Sequence, residues 1–253
     1  ITAQNTREVS GSFPLPSKIV ADQIKAIAVD IQISGVKTGM LYNQEIIEAV
    51  SEQIQESGIS PLVIDPVMIS KSGHHLLLPE ARQSLIDRLF PLATTVTPNI
   101  EEAQVLAAMS INKTEDMEKA ATIIKKMGPQ TVIIKGGHLP GEPVDLLYDG
   151  VEFLYLEGRR IPAKENKIHG LGCTLSAAIT AFLALGMNIR EAAKSGKQYV
   201  EDSIRFALEV GQGYPVPDHF NRLSRESQRY SLIMEMLDTL EKMKEANFRE
   251  KTL

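Results

Sequence analysis

The chain has 253 residues, 43% of them hydrophobic, and a net charge of −5 with its lysines and arginines scattered, which favours one main domain and argues against nucleic acid or an anionic membrane surface as chief partner. A single cysteine rules out an intrachain disulfide and four-cysteine metal frameworks, and points to a reducing compartment, the cytoplasm by default. No run approaches the roughly 18 apolar residues of a membrane span, and the first residues lack the basic-then-apolar pattern of a signal peptide.

Along the chain, Met40 closes a strand-end motif and helical spacing follows over about 44–57. Val63-Ile64 before Asp65-Pro66 reads as a buried strand, and Met68 closes that motif. After helical spacing at about 80–89, Thr94-Thr95-Val96-Thr97 before Pro98 is the next strand. Helices are predicted over about 99–108 and 114–127, the second opening with Thr114 and the acidic pair Glu115-Asp116. Thr131-Val132-Ile133-Ile134 before Lys135-Gly136-Gly137 is another strand, and Asp149-Gly150 between Asp145–Tyr148 and Val151–Tyr155 signals an edge hairpin. Long helices follow at about 173–186 and 189–209. From Ser224 the composition turns polar, with Tyr230, Ile233, Leu237 and Leu240 at the spacing of an amphipathic helix that packs on its own domain, makes a dimer contact or leads to a further domain. The alternation predicts an α/β fold: a mostly parallel central sheet, helices on both faces, an antiparallel edge, and ligands outside the carboxyl ends of the strands.

Polar motifs fall at those ends. In His169-Gly170-Leu171-Gly172-Cys173-Thr174 a glycine pair gives way to a helix start, where free N–H groups and the helix dipole favour an anion and where a thiol's pKa tends to fall. Asn99 and Glu102 lie three residues apart on one face, suited either to a hydrated Mg²⁺ or to a capping box. Asp65 either helps hold a metal–phosphate assembly or caps a turn, and Lys135-Gly136-Gly137-His138 either meets a phosphate or is an ordinary loop. His169 beside Cys173 is weak evidence for a thiol hydrolase, because catalytic Cys–His pairs join distant segments. His74-His75 has no third ligand at metal-like spacing, and the nine methionines read as core filler.

Taken in order, Ile1-Thr2-Ala3-Gln4-Asn5-Thr6, Val36-Lys37-Thr38-Gly39-Met40, Asp65-Pro66-Val67-Met68, Thr97-Pro98-Asn99, Lys135-Gly136-Gly137-His138 and His169–Thr174 strongly resemble the hydroxymethylpyrimidine/phosphomethylpyrimidine kinases of thiamine biosynthesis, in the ribokinase-like superfamily, over about residues 1–220. The resemblance implies a three-layer ribokinase-like domain over 1–220, and the amphipathic spacing beyond it makes 221–253 a C-terminal helical extension. It implies phosphoryl transfer from ATP, with Mg²⁺, to 4-amino-5-hydroxymethyl-2-methylpyrimidine and then to its monophosphate. Gln4 is then expected to bind the aminopyrimidine, with Met40 and Val67 lining its ring. Gly170, Leu171, Gly172 and Cys173 form the anion hole, Cys173 replacing the aspartate base of many relatives and accepting the alcohol proton. Asn99, Glu102 and Asp65 fall on the metal side, and Lys135 and Gly137 on the nucleotide side.

Two departures stand out: Leu171 occupies a position usually held by threonine or a small residue, and His74 one often held by aspartate. Relatives of this kind also begin with a strand and a glycine-rich segment ahead of the Ile1 position, so the expectation is that the 253-residue chain turns over poorly on its own. The rival expectations are a pyridoxal kinase of the same lineage, some of which also carry cysteine in the anion hole, and a catalytically impaired pyrimidine-binding protein. A homodimer is the expected assembly.

Overall fold

The structure, a computed structural model, describes residues 1–69, 73–137, 139, 141–161 and 168–250, with side chains followed to residue 240. It divides into two compact units, Ile1–Pro217 and Asp218–Leu253.

The first unit opens with a small antiparallel sheet of β1 (Thr2–Gln4) and β2 (Val9–Ser12), then helix α1 (Ser17–Ala28). The expected elements did not include α1. It has no fully buried residue, and only Val20 and Ile24, one turn apart, rest on the core, so its apolar signal is short.

The central sheet runs β3 (Val36–Thr38), β4 (Leu62–Ile64), β5 (Thr95–Val96), β6 (Thr131–Ile134), β7 (Val144–Tyr148) and β8 (Phe153–Glu157), side by side in chain order. Strands β3 to β6 are parallel, and β7 and β8 form the antiparallel edge hairpin that Asp149-Gly150 signals. Side chains alternate across the pleat. Leu62, Ile64, Val132, Ile134 and Leu146 pack under α2 (Gln44–Ser57), α3 (Arg82–Ser84), α4 (Ile100–Ala107) and α5 (Thr114–Lys125). Val63, Ile133 and Leu147 face α6 (Leu171–Ala184) and α7 (Ile189–Arg205) on the other side. This is the mostly parallel, two-sided α/β architecture expected.

Local chemistry sets the boundaries. Asn43 caps α2 by accepting the Ile46 N–H, and Gly58 ends it in the left-handed conformation with φ of 61°. The helix expected at about 80–89 is broken into 3₁₀ turns at Pro79–Ala81 and Phe90–Leu92 around α3 and a π turn at Leu85–Leu89. Pro91 has no N–H to continue an α ladder, and the widened turn brings Leu85, Leu89 and Phe90 all into the core. Helix α7 stops at Arg205, short of the expected 209, because Leu208 pairs with Val216 across an antiparallel bridge.

At the hairpin turn, Asp149 accepts the Val151 and Glu152 N–H groups, both at 2.9 Å, and Arg190 of α7 donates to Asp149 at 2.6 Å and to Glu152 at 2.8 Å. The Glu152 N–H first, then Arg190 and the Val151 N–H, hold the Asp149 carboxyl well below the usual carboxylate range. A group with its pKa depressed on folding adds stability above its unfolded value of about 3.9, and that stability is lost as pH falls through the folded value. Asp149→Asn should therefore melt earlier than wild type at pH 7, and the gap should close as pH drops below about 4 in thermal melts across pH.

The second unit is dominated by α8 (Asn221–Glu250). Ahead of it Asp218 accepts the Phe220 N–H at 2.8 Å, and the Asn221 amide donates to the Asp218 carbonyl at 2.6 Å. Tyr230, Ile233, Leu237 and Leu240 are exposed. No helix among the described residues is long and apolar enough to cross a membrane.

Candidate active site

Asp65, Asn99 and Lys135 follow the carboxyl ends of β4, β5 and β6, and Met40 follows that of β3. Backbone bonds hold those ends level: Asp65 N–H to Thr38 O at 3.0 Å, Thr97 N–H to Ile64 O at 2.8 Å, and Lys135 N–H to Pro98 O at 2.8 Å. The pleat then decides direction. Lys37 is paired with Val63, and Asp65 and Lys135 lie two residues beyond Val63 and Ile133, so all three side chains share the face covered by α6.

Asp65, 2% exposed, is the hub. One oxygen accepts from Lys135 Nζ at 2.7 Å, and the other accepts from Ser176 Oγ at 3.2 Å and lies 3.9 Å from Lys37 Nζ. Burial pulls the Lys135 pKa down, but the carboxylates of Asp65 and Glu102 outweigh it and leave the ammonium held above its ordinary value. The ammonium lies under the start of α6: a Cβ placed on Gly172 would sit 3.2 Å from Lys135 Nζ.

Helix α6 begins two residues earlier than expected. Gly170 takes φ of 87°, where an L side chain is strained, and its carbonyl accepts both the Thr174 N–H and the Thr174 hydroxyl at 2.9 Å. The N–H groups of Leu171, Gly172 and Cys173 precede the first intrahelical bond and donate to no other described residue. Three N–H groups without an acceptor among the described residues, beside a lysine ammonium, are a donor set that suits an anion, and Leu171 offers its N–H whatever its side chain.

The thiol departs from expectation. Surrounding protein displaces water from the Cys173 sulfur and pushes its pKa up, and the Asp65 carboxylate adds to this; Lys37 and Lys135 pull the other way and lose. The helix start therefore does not deliver an ionised thiol in the free protein, although Cys173 itself is exposed.

On the metal side, Asn99 and Glu102 form a reciprocal capping box, Glu102 N–H to Asn99 Oδ1 at 2.9 Å and Asn99 N–H to Glu102 Oε2 at 2.8 Å. Burial raises the Glu102 pKa against the opposing pull of Lys135 and the amides of Asn99 and Met68. Among the described residues no three His, Cys, Asp or Glu side chains gather as a metal cage. Asp65 and Glu102 nevertheless both act on Lys135, and carboxylates are the donor type that a Mg²⁺ keeping most of its waters takes.

Gln4, at the end of β1, places Nε2 2.7 Å from His169 Nε2, next to Gly170. The histidine thus answers Gln4, from a strand 165 residues away in the chain. Met40 and Val67 are half-buried just beyond β3 and β4. Gly137 is half-buried in the turn after β6, with open space where a Cβ would point; His138 and Lys167 lie outside the described residues. Lys37 and Ser176 escaped the sequence reading. Ser176 is three residues past Cys173 on α6, and Lys37 has the alternation that also aims Asp65, so period alone could have found both.

Comparison with known proteins matches residues 1–217 to the phosphomethylpyrimidine kinase family. The hydroxymethylpyrimidine/phosphomethylpyrimidine kinase of Bacillus subtilis is 41% identical over 222 residues, 87% of this chain and 81% of that protein. The thiamine biosynthesis bifunctional protein ThiED of Geobacter sulfurreducens is 43% identical over 220 residues, and the match spans 87% of this chain but only 44% of that longer protein. Among solved structures, phosphomethylpyrimidine kinase from Clostridium difficile has a TM-score of 0.69 at 42% identity, covering 80% of this chain and 83% of its own. An ADP complex of Bacillus subtilis pyridoxal kinase has a TM-score of 0.76 at 36% identity, covering 85% and 80%. A family match that takes in Gln4, the Asp65–Lys135 pair and the Gly170–Cys173 turn together settles the lineage: the chain belongs to the phosphomethylpyrimidine kinase family.

Proposed function

We propose that the protein transfers the γ-phosphoryl group of ATP to the hydroxymethyl oxygen of 4-amino-5-hydroxymethyl-2-methylpyrimidine, and then a second phosphoryl group to the resulting monophosphate. The observation that carries this reading is the trio of amides at Leu171, Gly172 and Cys173, without an acceptor among the described residues and set over the Lys135 ammonium, with Gln4 turned to the adjoining His169. Phosphoryl transfer asks for in-line positioning and for neutralisation of charge on the migrating group, which these donors supply without a covalent intermediate.

In this reading Lys135 and the turn at Gly137 bind the nucleotide phosphates, the α6 amides receive the migrating group, and Gln4, Met40 and Val67 orient the pyrimidine. Mg²⁺ held through Glu102, Asn99 and Asp65 would neutralise phosphate charge. Cys173 stands beside the acceptor oxygen. In its deprotonated form it takes the alcohol proton in the first transfer, whereas the second acceptor, a phosphate, is already ionised at neutral pH.

Pyridoxal is the competing acceptor, because pyridoxal kinases share this architecture. A coupled ADP-release assay offering each alcohol, and then the pyrimidine monophosphate, decides between them. The expected result is turnover with both pyrimidines, and a Gln4→Ala variant whose pyrimidine KM rises about tenfold with the KM for ATP unmoved. Preference for pyridoxal overturns the assignment.

A further inference from the structure

Away from the reacting groups, a buried ion pair bridges α7 and β7. Lys197 Nζ donates to Asp145 Oδ2 at 2.8 Å and to the Pro143 carbonyl at 3.1 Å, and the two side chains are almost wholly enclosed. The other Asp145 oxygen accepts the Gly136 N–H at 2.9 Å. Gly136 lies between Lys135 and Gly137. It can only be glycine, since a Cβ there would overlap the Val144 carbonyl oxygen.

A buried ion pair is not needed to hold a helix on a sheet; apolar side chains of similar size do that as well or better. Here the pair has a third party, the backbone of the turn after β6. Its carboxylate fixes the peptide between Lys135 and Gly136, and so the direction in which Lys135 leaves the strand toward Asp65 and the start of α6. A charge-assisted bond to a backbone N–H is short and directional, and its acceptor is anchored in turn by Lys197. We infer that Lys197 and Asp145 are positioning residues for the nucleotide side of the reaction: they set the Lys135-Gly136-Gly137 turn on which ATP phosphates are held. The inference rests on the kinase reading given above.

The test compares Lys197→Met, Asp145→Asn and the double variant, each checked by circular dichroism and thermal melting. Lys197→Met leaves the carboxylate unpaired, and should raise the KM for ATP about tenfold while the pyrimidine KM stays within about twofold. In the double variant the amide still accepts the Gly136 N–H and no charge is stranded, so the KM for ATP should return close to wild type. Asp145→Asn alone strands Lys197 and should lie between. If Lys197→Met does not fold, the single and double Asp145 variants carry the same comparison. ADP affinity measured by calorimetry should follow the same order without any acceptor, so it reads the turn even if the pyrimidine assignment fails. Folded variants in which ATP and pyrimidine KM rise together, or in which lowered thermal stability is the only change, would overturn the inference.

Discussion

Lys135→Ala should abolish most turnover and unsettle the fold at once. The substitution leaves Asp65 buried and charged with its 2.7 Å partner gone, which costs about 3–5 kcal/mol when one member of a buried pair is lost. Lys37, at 3.9 Å, recovers only part of that interaction. Activity should fall further than stability explains, by about a hundred- to thousandfold in kcat, because the proposed function makes Lys135 the preorganised cation that meets the phosphates. Denaturant unfolding and the coupled assay separate the two effects. In a Lys135→Met, Asp65→Asn double variant the stability should return, since no charge is stranded, and the activity should not. Recovery of both would mean that the pair is a structural strut and that the phosphates are bound elsewhere.

The second large effect concerns Cys173. Its pKa is pushed up, chiefly by loss of water around the sulfur and further by the Asp65 carboxylate. A base works in its deprotonated form, and one with a raised pKa gains activity as pH climbs. The first transfer should therefore accelerate through the alkaline range in wild type, and Cys173→Ala should lose about a hundredfold in that step and flatten its pH profile. The second transfer, onto an acceptor already ionised, should change little in rate or pH dependence. Equal losses in both steps, with an unaltered profile, would leave the side chain a packing role in the anion hole.

Much of this was legible in the chain. The parallel strands, the edge hairpin and the α6 start follow from β-branched runs ending in polar turns, because a strand buried on both faces has few ways to be written. The site motifs are local too: Gly170 and Asn99 act within a few residues of themselves. What the chain does not show is what those groups meet. That Asp65 gathers Lys135 and Ser176 depends on contacts spanning 70 and 111 residues, which no spacing rule reaches. The thiol was misjudged for the same reason. The helix dipole is a local feature, whereas the carboxylate and the enclosing protein that outweigh it arrive from β4 and its neighbours. The broken stretch at Pro79–Leu92 shows core packing overriding an apparently helical spacing.

The six strands stand in the order in which the ribosome makes them, each beside the one before. Every new strand can dock on an existing neighbour as it emerges, so the sheet suits vectorial growth from its β3 end. The turn at Gly170 comes late on that route. The amides of α6 are synthesised after β8, so a nascent chain can hold most of its sheet before the helix start that lies over Lys135 exists.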